Sequence, residues 1–243
     1  MSAQSNASRG GVAFSGARAL VVGATGTLGS ALATELSSQG VELALSGRDA
    51  ERLNTLAQEV GAISALPADL AEPSEAARIV EVGSAALGGL DLLVFAAGAV
   101  AFGPARELSS EVLAHLLRVN LEAPILATGA ALRQMEPGGV IVNLSAIVAE
   151  MPTAGLAAYS AAKAGLTAFD AAVAREARRD GIRVLDVRPP HLATGMEQRA
   201  IAGAPPALPA GREPDLLVDL IMDALADPRA RTVRWPKPSP AAA

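Results

Sequence analysis

A chain of 243 residues with 51% hydrophobic and 19% charged residues has enough apolar surface to bury one continuous core. Aromatic residues make up only 2%, so that core must be built from Ala, Val, Leu and Ile. A net charge of -5 offers no basic face for a phosphate backbone, which argues against nucleic-acid binding, and the lack of cysteine excludes disulfides, thiolate nucleophiles and Cys-ligated zinc.

The opening segment, residues 1–15, lacks the apolar core of a signal peptide and reads as a flexible leader. No apolar run reaches membrane-spanning length, so a soluble cytoplasmic protein without a membrane partner is expected. From Ala17 onward, short apolar runs alternate with longer segments of helical period: "ARALVVG", "LGSALATELSSQG", "VELALS", "DAERLNTLAQEVG". The alternation continues through "AISALP", a helix from about Ser74 to Leu87, "DLLVFAAG", two helical stretches from Ser109 to Gln134, "GVIVNLS", a helix from about Ala158 to Arg179, and "IRVLDV". Most of the strands are apolar throughout instead of alternating, the pattern of strands buried on both faces. This predicts a single α/β domain over residues 16–236, a Rossmann-like doubly wound parallel sheet with helices on both faces. Residues 188–213 carry five of the chain's prolines and read as a lid loop. A helix from about Asp215 to Ala226, a short "TVRW" strand and a flexible tail over 237–243 complete the chain.

Between the first strand and the first helix, Gly23, Gly26 and Gly29 stand three residues apart. Glycines at that place permit a tight turn and close approach of a diphosphate to the backbone, and the helix start offers free N–H groups and a positive dipole end. An NAD site usually has an acidic residue about 20 positions further on, bonding the ribose 2′-hydroxyl. Here Ser46-Gly47-Arg48 occupies that place. Arg48 either forks onto a 2′-phosphate with help from Thr25, which favours NADP(H) over NAD(H), or is a solvated residue at a strand end, and Asp49 could fold back against the phosphate. Asp69 in "PADL" either bonds the adenine amino group or is a turn residue. The two histidines, His115 and His191, are too few and too far apart to build a metal site, and no metal is expected.

"YSAAK" holds the chain's one tyrosine, Tyr159, four residues before Lys163, one of two lysines among 20 Lys and Arg residues. On a helix such a pair shares a face. An ammonium beside a phenol lowers the phenol pKa from about 10 and makes it a proton donor and acceptor near neutrality.

With this pair the sequence resembles the short-chain dehydrogenase/reductase family from about Ala17 to Met196. The matching features are "GATGTLG", "PADL", "AAG" at 96–98, "VNLEAP" at 119–124, "IVNLS" at 141–145, "YSAAK" and "RPP...T" from Arg188. The resemblance implies an oxidoreductase, a ketoreductase in type, transferring hydride between nicotinamide C4 and a carbonyl or alcohol carbon, with Tyr159 as general acid/base. It also implies that Lys163 holds the nicotinamide ribose and tunes the tyrosine, and that Asn120 supports a water chain. Thr194, in the segment beginning at Pro189, would lie beside the nicotinamide amide. The cofactor-binding set it implies is Gly23, Thr25, Gly26, Thr27, Leu28, Gly29, Arg48, Asp69, Leu70, Ala97, Gly98, Tyr159, Lys163, Pro189 and Thr194.

Three places depart from the family's pattern. Thr27 stands where the glycine-rich loop usually has a glycine, and the usual "NNAG" is Phe95-Ala96-Ala97-Gly98. The catalytic serine normally falls one residue closer to the tyrosine than Ser145, where this sequence has Ala146. Either the loop shifts so that Ser145 supplies the hydroxyl, or the substrate oxygen is polarised without it. Phe102, Met151, Pro152, Leu192 and Met196, with His191 nearby, form a candidate pocket wall for a moderately hydrophobic small-molecule ketone, aldehyde or secondary alcohol. By analogy a homodimer or homotetramer is expected, paired through the helices at Ser109–Gln134 and Ala158–Arg179. The competing readings are a catalytically weak nucleotide-binding regulator or scaffold, supported by Ala146, and an epimerase or dehydratase that uses the cofactor transiently.

Overall fold

The computed structural model describes residues 12–236, so residues 1–11 of the expected leader and the tail 237–243 lie outside the described residues. Seven strands form one parallel sheet: Arg18–Val22 (β1), Glu42–Gly47 (β2), Ser64–Pro67 (β3), Leu92–Phe95 (β4), Val140–Leu144 (β5), Arg183–Arg188 (β6) and Thr232–Arg234 (β7). Their order is β3-β2-β1-β4-β5-β6-β7, so the chain reverses direction across the sheet between β1 and β4, the doubly wound arrangement that the apolar strands predict.

The helices are Thr27–Ser38 (α1), Ala50–Glu59 (α2), Glu75–Leu87 (α3), Ser110–Leu117 (α4), Ala123–Gln134 (α5), Ala157–Ala177 (α6) and Asp215–Ala226 (α7). One face of the sheet presents Ala19, Val21, Leu43, Leu45, Val142 and Leu185 to α1, α2 and α7. The other presents Leu20, Val22, Phe95, Ile141 and Val184 to α3, α5 and α6. Successive side chains of a strand point to opposite faces, and here both faces are covered, so nearly every strand position is apolar.

Three differences from the sequence reading have physical causes. The two helical stretches expected over Ser109–Gln134 are joined by a π-helical turn, Arg118–Glu122, a widening that composition does not signal. Residues 12–15, expected in the leader, lie against the core: Val12 and Phe14 pack on the α1/α7 face, and the Val12 N–H donates to the Leu225 carbonyl at 3.1 Å. The lid region contains a short 3-10 turn, Glu197–Arg199, and a single bridge between Leu192 and Arg212.

Arg183, 6% exposed at the start of β6, closes the end of α7. Its guanidinium donates to the carbonyls of Ala224, Leu225 and Asp227, each at 2.7 Å. Carbonyls of a last helical turn have no partner within the helix, and a cation at that end also meets the negative end of the dipole. Arg183→Met keeps the apolar stem and strands those carbonyls. It is expected to cost about 2 kcal/mol or more, read as a lower urea midpoint with an unchanged slope.

Candidate active site

The site lies at the C-terminal edge of the sheet, where the order reverses between β1 and β4. After β1 the chain turns at Gly23, whose φ of 81° and whose N–H bond to the Ser46 carbonyl at 2.8 Å fix the loop. A side chain at Gly23 would lie 2.6 Å from the Ala97 nitrogen, and one at Gly29 would lie 2.2 Å from the Gly23 carbonyl oxygen. These two positions must be glycine for the loop to pack against the residues after β4. Helix α1 then begins at Gly26 without a side-chain cap and without an acidic residue in its first turn. Its N–H groups are left for an anion. The Thr27 hydroxyl donates to the Thr194 carbonyl of the lid at 3.1 Å.

On the adenosine side, Thr25 packs against Gly47, where a Cβ would lie 2.8 Å from its hydroxyl. Arg48 is exposed. Asp49 is committed to capping α2, accepting from the Arg52 N–H at 3.1 Å, so its carboxylate does not fold back on the loop. Arg52, which the sequence reading missed, donates to the Thr25 carbonyl at 3.0 Å. It stands four residues after Arg48, a spacing that could have signalled a second guanidinium. Asp69 accepts from the Ala71 N–H at 3.0 Å in a local turn. Leu70 turns its side chain into the core, so only its main chain faces outward. Gly98 leaves a gap toward Asn120, Met196 and Lys163: a Cβ there would lie 3.2 Å from Asn120 Oδ1 and from the Met196 methyl, and 3.9 Å from Lys163 Nζ.

Asn120 is buried in the π-helical turn and clamps residue 99 from both sides. Its Oδ1 accepts from the Ala99 N–H at 3.2 Å, while Nδ2 donates to the Ala99 carbonyl at 2.8 Å and to the Leu116 carbonyl at 3.0 Å. Tyr159 and Lys163 share one face of α6, with the ammonium 5.9 Å from the centre of the phenol ring. Lys163, 3% exposed, donates to the Leu144 carbonyl at the end of β5 at 2.7 Å. Burial lowers its pKa to about 8, against the raising influence of Asp170 and Asp186. Tyr159 packs among Val100, Phe102 and Leu156, with Met196, Ala200 and Leu208 of the lid around it.

Burial pushes the Tyr159 pKa up to about 12. The direction is opposite to the lowering expected from the ammonium, for a ring that is partly buried. The cation lies over the ring face, and desolvation of a phenolate outweighs its attraction.

Ser145 is also corrected. Its hydroxyl donates to Asp186 Oδ1 and to the Val187 carbonyl, the latter at 3.1 Å, and is buried between β5 and β6. Strand alternation puts Ser145 on the same face as Asn143, and Asn143 pairs in register with Asp186. The loop does not shift, and Ala146 follows in an extended conformation with only a methyl to offer. Asp186 is bound in turn by Arg188 at 2.6 Å; Arg188 meets Glu150, and Glu150 accepts from Arg234 at 2.7 Å. The two guanidiniums, Arg234 foremost, hold the Glu150 carboxyl below its usual range. This chain ties the loop after β5 to β6 and β7.

The residues expected to form a pocket wall do not stay together. Phe102 and Met196 pack with Val100, Leu156 and Tyr159, and Leu192 packs instead in the core cluster that includes Val187 and Leu217. Met151 is 68% exposed, Pro152 is exposed, and His191 bonds Arg212 through its main chain. A cavity of about 200 Å³ lies behind Phe102, between it and Val112 and Leu116 of α4. No group of three or more His, Asp or Glu among the described residues could hold a metal, and none of their helices is long and apolar enough to cross a membrane.

The family model for short chain dehydrogenases matches residues 17–204. The chain belongs to this family. Nodulation protein G of Rhizobium meliloti (strain 1021) is 32% identical over 189 residues, 76% of this chain and 77% of that relative. A cyclic-di-GMP-binding biofilm dispersal mediator protein of Escherichia coli (strain K12) is 33% identical over 181 residues, 73% of each chain. Among solved structures, a short chain dehydrogenase from Burkholderia cenocepacia J2315 in complex with NADP superposes with a TM-score of 0.81 at 28% identity, covering 91% of this chain and 98% of that one.

Because Tyr159 is the chain's one tyrosine, its ionisation can be followed without interference. The tyrosinate absorbance of the folded protein should rise with a midpoint near 12. A midpoint near 10, the ordinary value, would show the ring to be solvated.

Proposed function

We propose that this short-chain dehydrogenase is an NADP(H)-dependent reductase of moderately hydrophobic ketones or aldehydes, working in reverse on secondary alcohols. The observation that carries the reading is a phenol kept protonated by burial, with a lysine on the same helical face, at the edge of a crevice whose glycines clear a path for a dinucleotide. The residues fit such a cofactor. The uncapped start of α1, with the main chain of Gly23, Gly26, Thr27, Leu28 and Gly29, suits a diphosphate. Thr25, Arg48 and Arg52 suit a 2′-phosphate, the main chain of Asp69, Leu70, Ala97 and Gly98 the adenosine, and Pro189 and Thr194 the nicotinamide amide. The cofactor, when bound, supplies or accepts a hydride at nicotinamide C4.

The chain's own work is then acid/base. Tyr159 donates its proton to the substrate oxygen as charge develops there, with the Lys163 ammonium 5.9 Å from the centre of its ring. Asn120 fixes the main chain of residue 99 beside Gly98. No serine hydroxyl assists, because Ala146 has none and Ser145 is bound to Asp186. The apolar wall of Val100, Phe102, Leu156 and Met196 suits a hydrophobic substituent. Leu113 on α4 and Leu126 on α5 are exposed apolar groups on the helices proposed to pair subunits in a homodimer or homotetramer.

A second reading, a dinucleotide-binding regulator with weak chemistry, is favoured by the missing hydroxyl at 146. The relative named for cyclic-di-GMP binding and biofilm dispersal gives that reading a precedent.

Three variants test the proposal by nicotinamide absorbance. Tyr159→Phe should lose roughly a hundredfold or more of kcat, and a variant that keeps wild-type turnover would refute the acid/base assignment. Ala146→Ser should raise kcat by about tenfold or more through a second donor. Arg48→Ala combined with Arg52→Ala should weaken NADPH preference over NADH by roughly tenfold. Tight NADPH binding with no turnover across a broad carbonyl panel would instead establish the regulatory reading.

A further inference from the structure

The carboxyl of Asp170 has no part in the chemistry above, yet it is only 2% exposed. It stands seven residues after Lys163 on α6, a two-turn spacing that keeps both on the face turned to the sheet. Asp170 Oδ1 accepts from Asn143 Nδ2 at 2.7 Å, and the same nitrogen reaches Thr128 Oγ1 at 3.2 Å. Asp170 Oδ2 and Asn143 Oδ1 are buried without a partner. An uncharged residue could satisfy Asn143 at much lower desolvation cost, so the hydrogen bond alone does not account for a carboxyl in this place.

We propose that Asp170 is a positioning residue for the acid/base pair, acting through Lys163 by holding the ammonium's charge in the buried slot behind Tyr159. This rests on the reading of Lys163 as the partner of Tyr159. The groups facing Lys163 are Tyr159 and Asp170 on its own helix and Asp186 on β6. Those facing Asp170 are Lys163, Asp186 and Arg188. From β5 and α5 come the uncharged Asn143 and Thr128. Further titratable groups on elements packed against α6 are His115 of α4, Arg118 and Glu122 of the π-helical turn, and Arg178, Arg179 and Asp180 after α6. Glu150, before α6, is paired with Arg188 and Arg234.

Burial drives the ammonium toward its neutral form and the carboxyl toward its acid form, bringing each to about 8. Groups of opposite charge sign that titrate over one pH range do so as a pair. As the pH rises, ionised Asp170 retains the proton on Lys163. Without Asp170, Asp186 is the one carboxylate left to do so, and Lys163 gives up its proton at lower pH.

Lys163 and Lys237 are the only lysines, so lysine-selective carbon-13 labelling gives two side-chain signals to follow by NMR against pH, assigned by Lys237→Arg. The Lys163 midpoint should lie near 8 in the wild-type chain and fall by about one unit in Asp170→Asn, with Lys237 unmoved. Asp170→Ser, which keeps an acceptor for Asn143, carries the measurement if the amide variant does not fold. A Lys163 midpoint equal to wild type in a folded variant overturns the proposal, because a purely structural aspartate would alter the melting temperature and leave the titration in place. The measurement needs neither cofactor nor substrate. A wild-type chain without turnover would therefore sink the reductase reading and leave this one to be decided by the NMR midpoint, while an active enzyme should lose the basic limb of its kcat profile at correspondingly lower pH.

Discussion

The site depends on the hydrogen bond from the Lys163 ammonium to the Leu144 carbonyl. A charge this deeply buried is tolerable only if its donors are used and its field is answered. The carbonyl at the end of β5 meets the first need, and Asp186, joined by Asp170 once it ionises, meets the second. The bond also ties α6 to the end of β5. Tyr159, one turn earlier, packs with Met196, Ala200 and Leu208 of the segment after β6.

Around that pivot the structure spends polar groups in a part of the core that would otherwise be apolar. Asn143, Ser145, Asp186 and Arg188 occupy alternate positions of two neighbouring strands, all turned toward α6. Most of the rest of that sheet face is apolar, with Leu20, Val22, Leu93, Phe95, Ile141 and Val184. The polar row is connected outward by Arg188, Glu150 and Arg234, so a charge inside the sheet is balanced through a chain that ends at the surface. This arrangement takes the hydroxyl of Ser145 out of the crevice. It also joins the short edge strand β7 to the loop that walls the site.

The order of strands and helices was legible because buried parallel strands are apolar runs and each is followed by a helix with its own period. The glycine-rich turn and the Tyr159–Lys163 pair were legible because spacing alone puts them on a loop and on one helical face. The role of Ser145 was open at that level, although period-two alternation from Asn143 already assigns it to the α6 side. Asp186, an acid in the apolar "IRVLDV", and Asp170, two turns after Lys163, were visible as oddities without a meaning until the register brought them together. The phenol's environment was not legible. How far burial outweighs a nearby cation is decided by lid residues some 40 positions away, and no local pattern encodes that packing.

The methyl of Ala146 has a consequence for stereochemistry. Two protic contacts on a carbonyl oxygen fix both its position and the plane in which the group lies, whereas a single phenol fixes position and leaves rotation about the O–H···O axis. Under the proposed reductase reading, with Ser145 turned into the sheet, the face of the carbonyl offered to the cofactor would be selected by the fit of substituents beside Val100, Phe102, Leu156 and Met196. Enantioselectivity under that reading would be a matter of shape, varying from substrate to substrate with the sizes of the two groups flanking the carbonyl.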